Sequence, residues 1–139
     1  MTDTDDLLPA LLASFRGTLV ERLGIELVTA DAARVVARMP VAGNTQPYGL
    51  LHGGATAALA ETVGSVAATI HAGPALSAVG TELSATHHRS AREGYVTATA
   101  TPLHLGRSTA SFDVAVLDDD GRRVCTARLS CMILGRPGA

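Results

Sequence analysis

Gln46-Pro47-Tyr48-Gly49-Leu50-Leu51-His52-Gly53-Gly54-Ala55-Thr56-Ala57-Ala58-Leu59-Ala60-Glu61-Thr62-Val63-Gly64-Ser65 is the stretch on which the fold turns. Its turn residues end where a helical pattern begins. Leu59, Val63, Val66 and Ile70 fall at i, i+4, i+7 and i+11, one apolar stripe at a 3.6 period. The spacing predicts a helix from about Gly54 to Ile70, ended by Gly73-Pro74. Two glycines beside a helix start can present bare N–H groups to a ligand. At about 100° per residue, Glu61 lies nearly opposite the apolar stripe. Its neighbours there are Ala57, Ala58, Gly64, Ser65 and Ala68. Such a face suits close approach of a backbone or a ligand. The helix is therefore expected to be covered nearly all round, with its only acid partly desolvated, the setting in which catalytic carboxylates are found.

Outward from the helix, the rest of the chain reads as sheet. Leu7 to Leu23 is apolar-rich and partly helical, interrupted by Gly17. Ile25–Val28 and Arg34–Met39 form a hairpin closed by Pro40. Gly43 to Gly49 is a loop. After the helix come four strands: Ser77–Arg89, Tyr95–Thr101, Arg107–Leu117 and Val124–Leu134. Asp118-Asp119-Asp120-Gly121 turns between the last two. No repeat or linker divides this order. An antiparallel sheet wrapped around one long, nearly all-apolar helix satisfies it, an α+β architecture.

Composition narrows the classes. The 139 residues suit a single domain, 1–139, with room for a proper core. The apolar content of 47% against 17% charged is high for a small monomer, and a second copy is expected to cover part of that surface. A net charge of −2 without any Lys/Arg run argues against nucleic-acid binding. The acidic start, Met1-Thr2-Asp3-Thr4-Asp5-Asp6, lacks the basic and apolar regions of a signal peptide. No apolar run reaches the roughly 20 residues that span a bilayer. Cys125 and Cys131 share one face of a strand but stand about 20 Å apart, too far to bond. They read as reduced core thiols of a cytoplasmic protein.

Other chemistry is weighed next. His52, His71, His87, His88 and His104 show no zincin spacing, and there is no Cys-x-x-Cys, so no metal site is predicted. His87 and His88 are adjacent in a strand and point to opposite faces, so only one can serve a given pocket. His71 suits the last helical turn, near the negative end of the dipole, and His104 is a strand-end residue. No Gly-x-Ser-x-Gly elbow exists. Ser65, one turn after Glu61, has no evident base; it can bond the same substrate or simply pack on a crowded face. Arg107-Ser108-Thr109, Arg122-Arg123 and Arg128 offer groups for phosphates or are solvated surface.

Three segments together carry a likeness: Gln46 to Ser65, Val79-Gly80-Thr81-Glu82-Leu83-Ser84-Ala85-Thr86-His87-His88-Arg89, and Pro102-Leu103-His104-Leu105-Gly106-Arg107. They resemble the PaaI-like, hotdog-fold acyl-CoA thioesterases. The branch is that of the Arthrobacter-type 4-hydroxybenzoyl-CoA thioesterase, nearest the 1,4-dihydroxy-2-naphthoyl-CoA and enterobactin-pathway proofreading enzymes. The likeness implies that Glu61 is the catalytic carboxylate, acting as nucleophile or as general base on water. It implies that the Gly53 N–H polarises the thioester carbonyl beside Gly54, and that His52 and Gln46 orient the thioester or the water. Ser65 corresponds to a hydroxyl position near the carboxylate, and His87 to a histidine that contacts hydroxyls of an aryl group. Arg107 and Ser108 are candidates for the substrate's phosphates.

The resemblance also implies sites shared between subunits, the carboxylate from one and the His-Gly loop from the other. The expectation is a metal-free hydrolase that cleaves acyl-CoA to free acid and CoA, acting on aryl-CoA such as hydroxybenzoyl- or dihydroxynaphthoyl-CoA. Coenzyme A enters only as part of the substrate, and the enzyme is a homodimer or a dimer of dimers (a homotetramer). A medium-chain or phenylacetyl-type acyl group is the alternative on the same fold. A non-catalytic acyl-CoA-binding module is the alternative in another class, against which the acid beside an intact His-Gly-Gly argues.

Overall fold

The computed structural model describes residues 4–135. The N-terminal segment forms two helices, α1 (Thr4–Ser14) and α2 (Leu19–Arg22). They part at Gly17, whose φ of +71° lies in the left-handed region that favours glycine. The Thr18 hydroxyl donates to the Phe15 carbonyl at 2.6 Å and closes the turn. The hairpin follows as β1 (Glu26–Ala30) and β2 (Val35–Pro40). The Asp31 carboxylate shapes its turn by accepting from the N–H groups of Ala33 and Arg34 at 2.8 and 2.9 Å.

The long helix α3 runs Gly53–Ala72, and Gly73 ends it with a φ of +82°. Four strands complete the chain: β3 (Leu76–His87), β4 (Tyr95–Leu105), β5 (Thr109–Asp118) and β6 (Arg123–Gly135). β4 runs past the expected end at Thr101. Pro102 stays in the ladder opposite Phe112, and the bulge between Pro102 and His104 takes up the irregularity. All six strands join one antiparallel sheet in the order β1-β2-β4-β5-β6-β3.

The sheet wraps α3, which touches β2 through β6. Leu59 and Val63 are fully buried, Val66 nearly so, and Ile70 packs at the margin, so the apolar stripe faces the sheet as its period demands. Met39, Val96, Phe112, Val114 and Leu129 meet it from the strands. This is the hotdog arrangement. One part of the helix reading is corrected. Gly64 and Ala68 are buried, as the small-residue face allows, but the expected cover does not extend over Glu61 within one chain. A Cβ on Gly64 would lie 2.4 Å from Leu129 Cδ2, so the curl of β6 reaches further round the helix than the wheel implies. The far side of α3 is only partly covered, and Glu61 is exposed in the single chain.

The sheet has two edges, β1 and β3. β3 has 12 residues and carries a bulge between Gly80 and Glu82. Cys125 and Cys131 are buried, unpaired, on the inner face of β6. No helix among the described residues is long and apolar enough to cross a membrane.

Candidate active site

The start of α3 is held from two sides. The Leu51 N–H donates to Ala91 at 2.8 Å, and the His52 N–H to Asn44 at 2.9 Å. His52 is the N-cap: its backbone is extended, and its Nδ1 accepts from the Gly54 N–H at 2.8 Å. That bond satisfies one of the orphan donors of the first turn. It also needs a free lone pair on Nδ1, which leaves Nε2 as the protonated nitrogen of the neutral ring. Ala55 and Thr56 donate to the His52 carbonyl. Among the described residues no group accepts from the Gly53 N–H. Here the first-turn N–H groups and the helix dipole jointly favour a developing negative charge.

His87, the last residue of β3, covers this glycine. A Cβ on Gly53 would come within 2.9 Å of His87 Nε2, so only a glycine lets the ring sit there. His88 bonds the Thr126 hydroxyl at 2.9 Å and lines the same cavity as His87, so the expectation that only one of the two serves a given pocket fails, because β3 ends at His87 and strand alternation ends with it. Gly53 and His87 line a cavity of about 350 Å³ with Gln46, Leu50, Thr56 and Arg89. Gln46 shapes its rim. Its side-chain oxygen accepts from the Tyr48 N–H, and its backbone bonds Leu50 and Gly49. The amide NH₂ of Gln46 is left as the donor available to a ligand.

Glu61 opens into a different space. With Ser65, Thr62 and Thr69 it lines a cavity of about 370 Å³ roofed by α1 and α2. Its carboxylate also lies over β3, where a Cβ on Gly80 would meet Glu61 Oε1 at 2.6 Å. The Ser65 carbonyl accepts from the Thr69 hydroxyl at 2.8 Å, while the Ser65 hydroxyl has no partner among the described residues. The charge of Glu61 is felt below it: burial first, and then this carboxylate, push the Cys131 thiol up to about 11.

One chain therefore does not assemble all the candidates. Gly53, Gly54, His52, Gln46 and His87 cluster at the start of α3. Glu61 and Ser65 lie about 12 Å or more along the axis, at 1.5 Å per residue. Arg107 and Ser108 are exposed at the β4–β5 turn, by the opposite end of α3. There His71 Nε2 bonds the Gly106 carbonyl at 2.6 Å and ties helix to turn.

Sequence reasoning missed three residues. Asn44 is buried and donates to the Leu23 and Pro40 carbonyls at 2.7 and 2.8 Å, so it joins α2, β2 and the His52 cap. Its loop composition hid this role. Thr56 is buried one turn from Gly53. Gly80 gives Glu61 its room; a lone glycine inside a strand pattern was the available signal.

Comparison with known proteins decides what such a helix terminus and acid belong to. Residues 48–125 match the family described as the thioesterase superfamily. This chain belongs to the thioesterase superfamily. Among curated members, a proofreading thioesterase EntH of Klebsiella pneumoniae is 50% identical over 129 residues, 92% of this chain and 94% of the relative. Among solved thioesterases, one from Haemophilus influenzae has a TM-score of 0.89 and 34% identity, covering 97% of this chain and 93% of its own. A variant thioesterase from Pseudomonas aeruginosa has a TM-score of 0.88 and 37% identity, covering 98% and 97%. This superfamily member is thus a hotdog-fold enzyme that hydrolyses thioesters, and the matched region contains Gly53, Glu61 and His87.

Proposed function

We propose that this thioesterase cleaves acyl-CoA thioesters with an aromatic acyl group, in sites built by two copies of the chain. One observation carries the reading: an unpartnered Gly53 N–H at the head of a 20-residue helix, with the helix's only acid opening into a second cavity. The thioester carbonyl oxygen accepts from Gly53 N–H, where dipole and donor stabilise the charge that develops on it. In one route Glu61 takes a proton from water, hydroxide adds to the carbonyl carbon, and the C–S bond breaks. The CoA thiolate then takes the proton. In the other route the Glu61 carboxylate itself adds and expels CoA, and water hydrolyses the resulting anhydride. Gln46 and His52 orient the thioester or the water, Ser65 offers a hydroxyl beside the carboxylate, and His87 bonds ring hydroxyls of the acyl group. No cofactor takes part beyond the substrate's own coenzyme A. Such a substrate and two buried free thiols fit the cytoplasm.

Reacting atoms must approach to about 3–3.5 Å, which Gly53 and Glu61 of one chain do not allow. The open edge of β3 supports the remedy. It is long, and Leu76 and Val79 on it are 39% and 45% exposed. Unpaired edges of this kind template pairing with another chain. Antiparallel pairing of two β3 strands sets the two α3 helices side by side in opposite directions. Gly53 of one chain then approaches Glu61 of the other. Arg107 and Ser108, at the far end of α3, approach the partner's helix start, where CoA phosphates would lie. Two such dimers make the tetramer.

The test is a panel of aryl- and alkyl-CoA thioesters read by free-thiol release. Hydroxylated aryl-CoA should give the highest kcat/KM. A preference for medium-chain alkyl-CoA would refute the aryl reading, and no cleavage of any CoA thioester would refute the whole.

A further inference from the structure

We propose that the α1–α2 segment, with Phe15 at its centre, is the wall of the acyl pocket and determines which acyl groups reach Glu61. The inference rests on the reading that Glu61 attacks, or activates water against, a CoA thioester. The scissile carbonyl must then lie beside the Glu61 carboxylate, and the acyl group must occupy space next to it. The space that Glu61 opens into within its own chain is the cavity of about 370 Å³ under α1 and α2. That size falls in the ordinary range for small-molecule sites, and so does its character, an apolar lining with few polar groups. Leu11, Phe15, Leu19 and Leu23 form the wall facing Glu61 and Ser65.

Phe15 is the only aromatic side chain there; the chain's other phenylalanine, Phe112, is in the core. Core packing accounts for only part of the wall: Leu11, Phe15 and Leu23 rest partly buried against the core, and Leu19 does not. Phe15 is only half-buried and Leu19 is 60% exposed, while both turn toward the cavity. The segment is nonetheless registered. Gly17 and the Thr18–Phe15 bonds set its turn. At its far end Asn44 donates to the Leu23 carbonyl and accepts from the His52 N–H, so the wall and the cap of α3 share one anchor. An aromatic acyl group gains ring–ring contact with Phe15 beyond its area burial, which an alkyl chain does not.

The experiment measures binding apart from chemistry. Calorimetry with the full chain compares a benzyl-CoA thioether and an octyl-CoA thioether, which keep coenzyme A but lack the cleavable bond. Phe15→Ala should weaken the benzyl ligand about fivefold and the octyl ligand less than about twofold. Leu19→Trp alters a side chain outside the core and should fill the cavity. It should weaken both ligands about tenfold with the thermal midpoint unchanged. Equal weakening of both ligands by Phe15→Ala, or unchanged binding in Leu19→Trp, overturns the proposal. If the variants show these binding shifts while the wild-type chain cleaves no CoA thioester, the catalytic reading is refuted and the wall stands. A wild-type chain that binds neither thioether refutes both.

Discussion

Glu61 and Gly53 belong to one helix but open into different cavities, and each variant should fail in its own way. Glu61→Gln keeps size and hydrogen bonding and removes the charge. Turnover should fall by roughly 10²–10⁴ if the carboxylate is a general base, with the fold intact by circular dichroism; near wild-type hydrolysis of aryl-CoA would refute its role. His87→Ala should lower kcat/KM for hydroxylated aryl-CoA several-fold, a loss of about 1 kcal/mol for one hydrogen bond. Alkyl-CoA should be almost unaffected, whereas an equal loss on both substrates would assign His87 to the fold or the chemistry. Cys131 gives a pH test. Burial and Glu61 push its folded thiol up to about 11 against an ordinary value of 9, so below pH 9 both states keep the proton and its contribution to stability is full and constant. Between 9 and 11 the unfolded chain releases the proton more readily, and stability falls as pH rises. Denaturant unfolding below pH 9 and near pH 11 should show a smaller loss in Cys131→Val than in the wild type; equal losses would rule out this thiol.

At the scale of elements, the contact between α3 and β6 is set by Gly64. Alanine is the better helix former by about 1 kcal/mol, yet its methyl would meet Leu129, which is fully buried and has nowhere to move. Gly64→Ala should therefore lower stability by about 1–3 kcal/mol in a thermal or denaturant melt. A stabilised variant would show that the sheet does not press on the helix there. The same closeness buries Gly64 on the side of α3 that also carries Glu61. A helical wheel records angles around an axis, but the curl of β6 decides how far round the axis the sheet reaches.

For the whole molecule, the two half-sites predict complementation. Glu61→Ala and His52→Ala proteins, each impaired alone, should regain part of the activity when mixed under subunit exchange, because a hybrid can hold one site with both groups intact. Full activity eluting as a monomer from a sizing column would refute shared sites. The fold itself was legible because periodicity encodes it. Leu59, Val63 and Val66 marked a helix with one apolar side, alternation marked the strands, and the element order left few ways to close a sheet on that helix. The His-Gly-Gly cap and the lone acid were legible because their chemistry is local. What the strands cover, how Gly80 makes room for Glu61, how Asn44 ties α2 to the cap, and which cavity each candidate opens into came only from the tertiary structure. These depend on sheet curvature and on contacts between residues far apart in the chain, and a local pattern records which face is apolar without recording what packs against it.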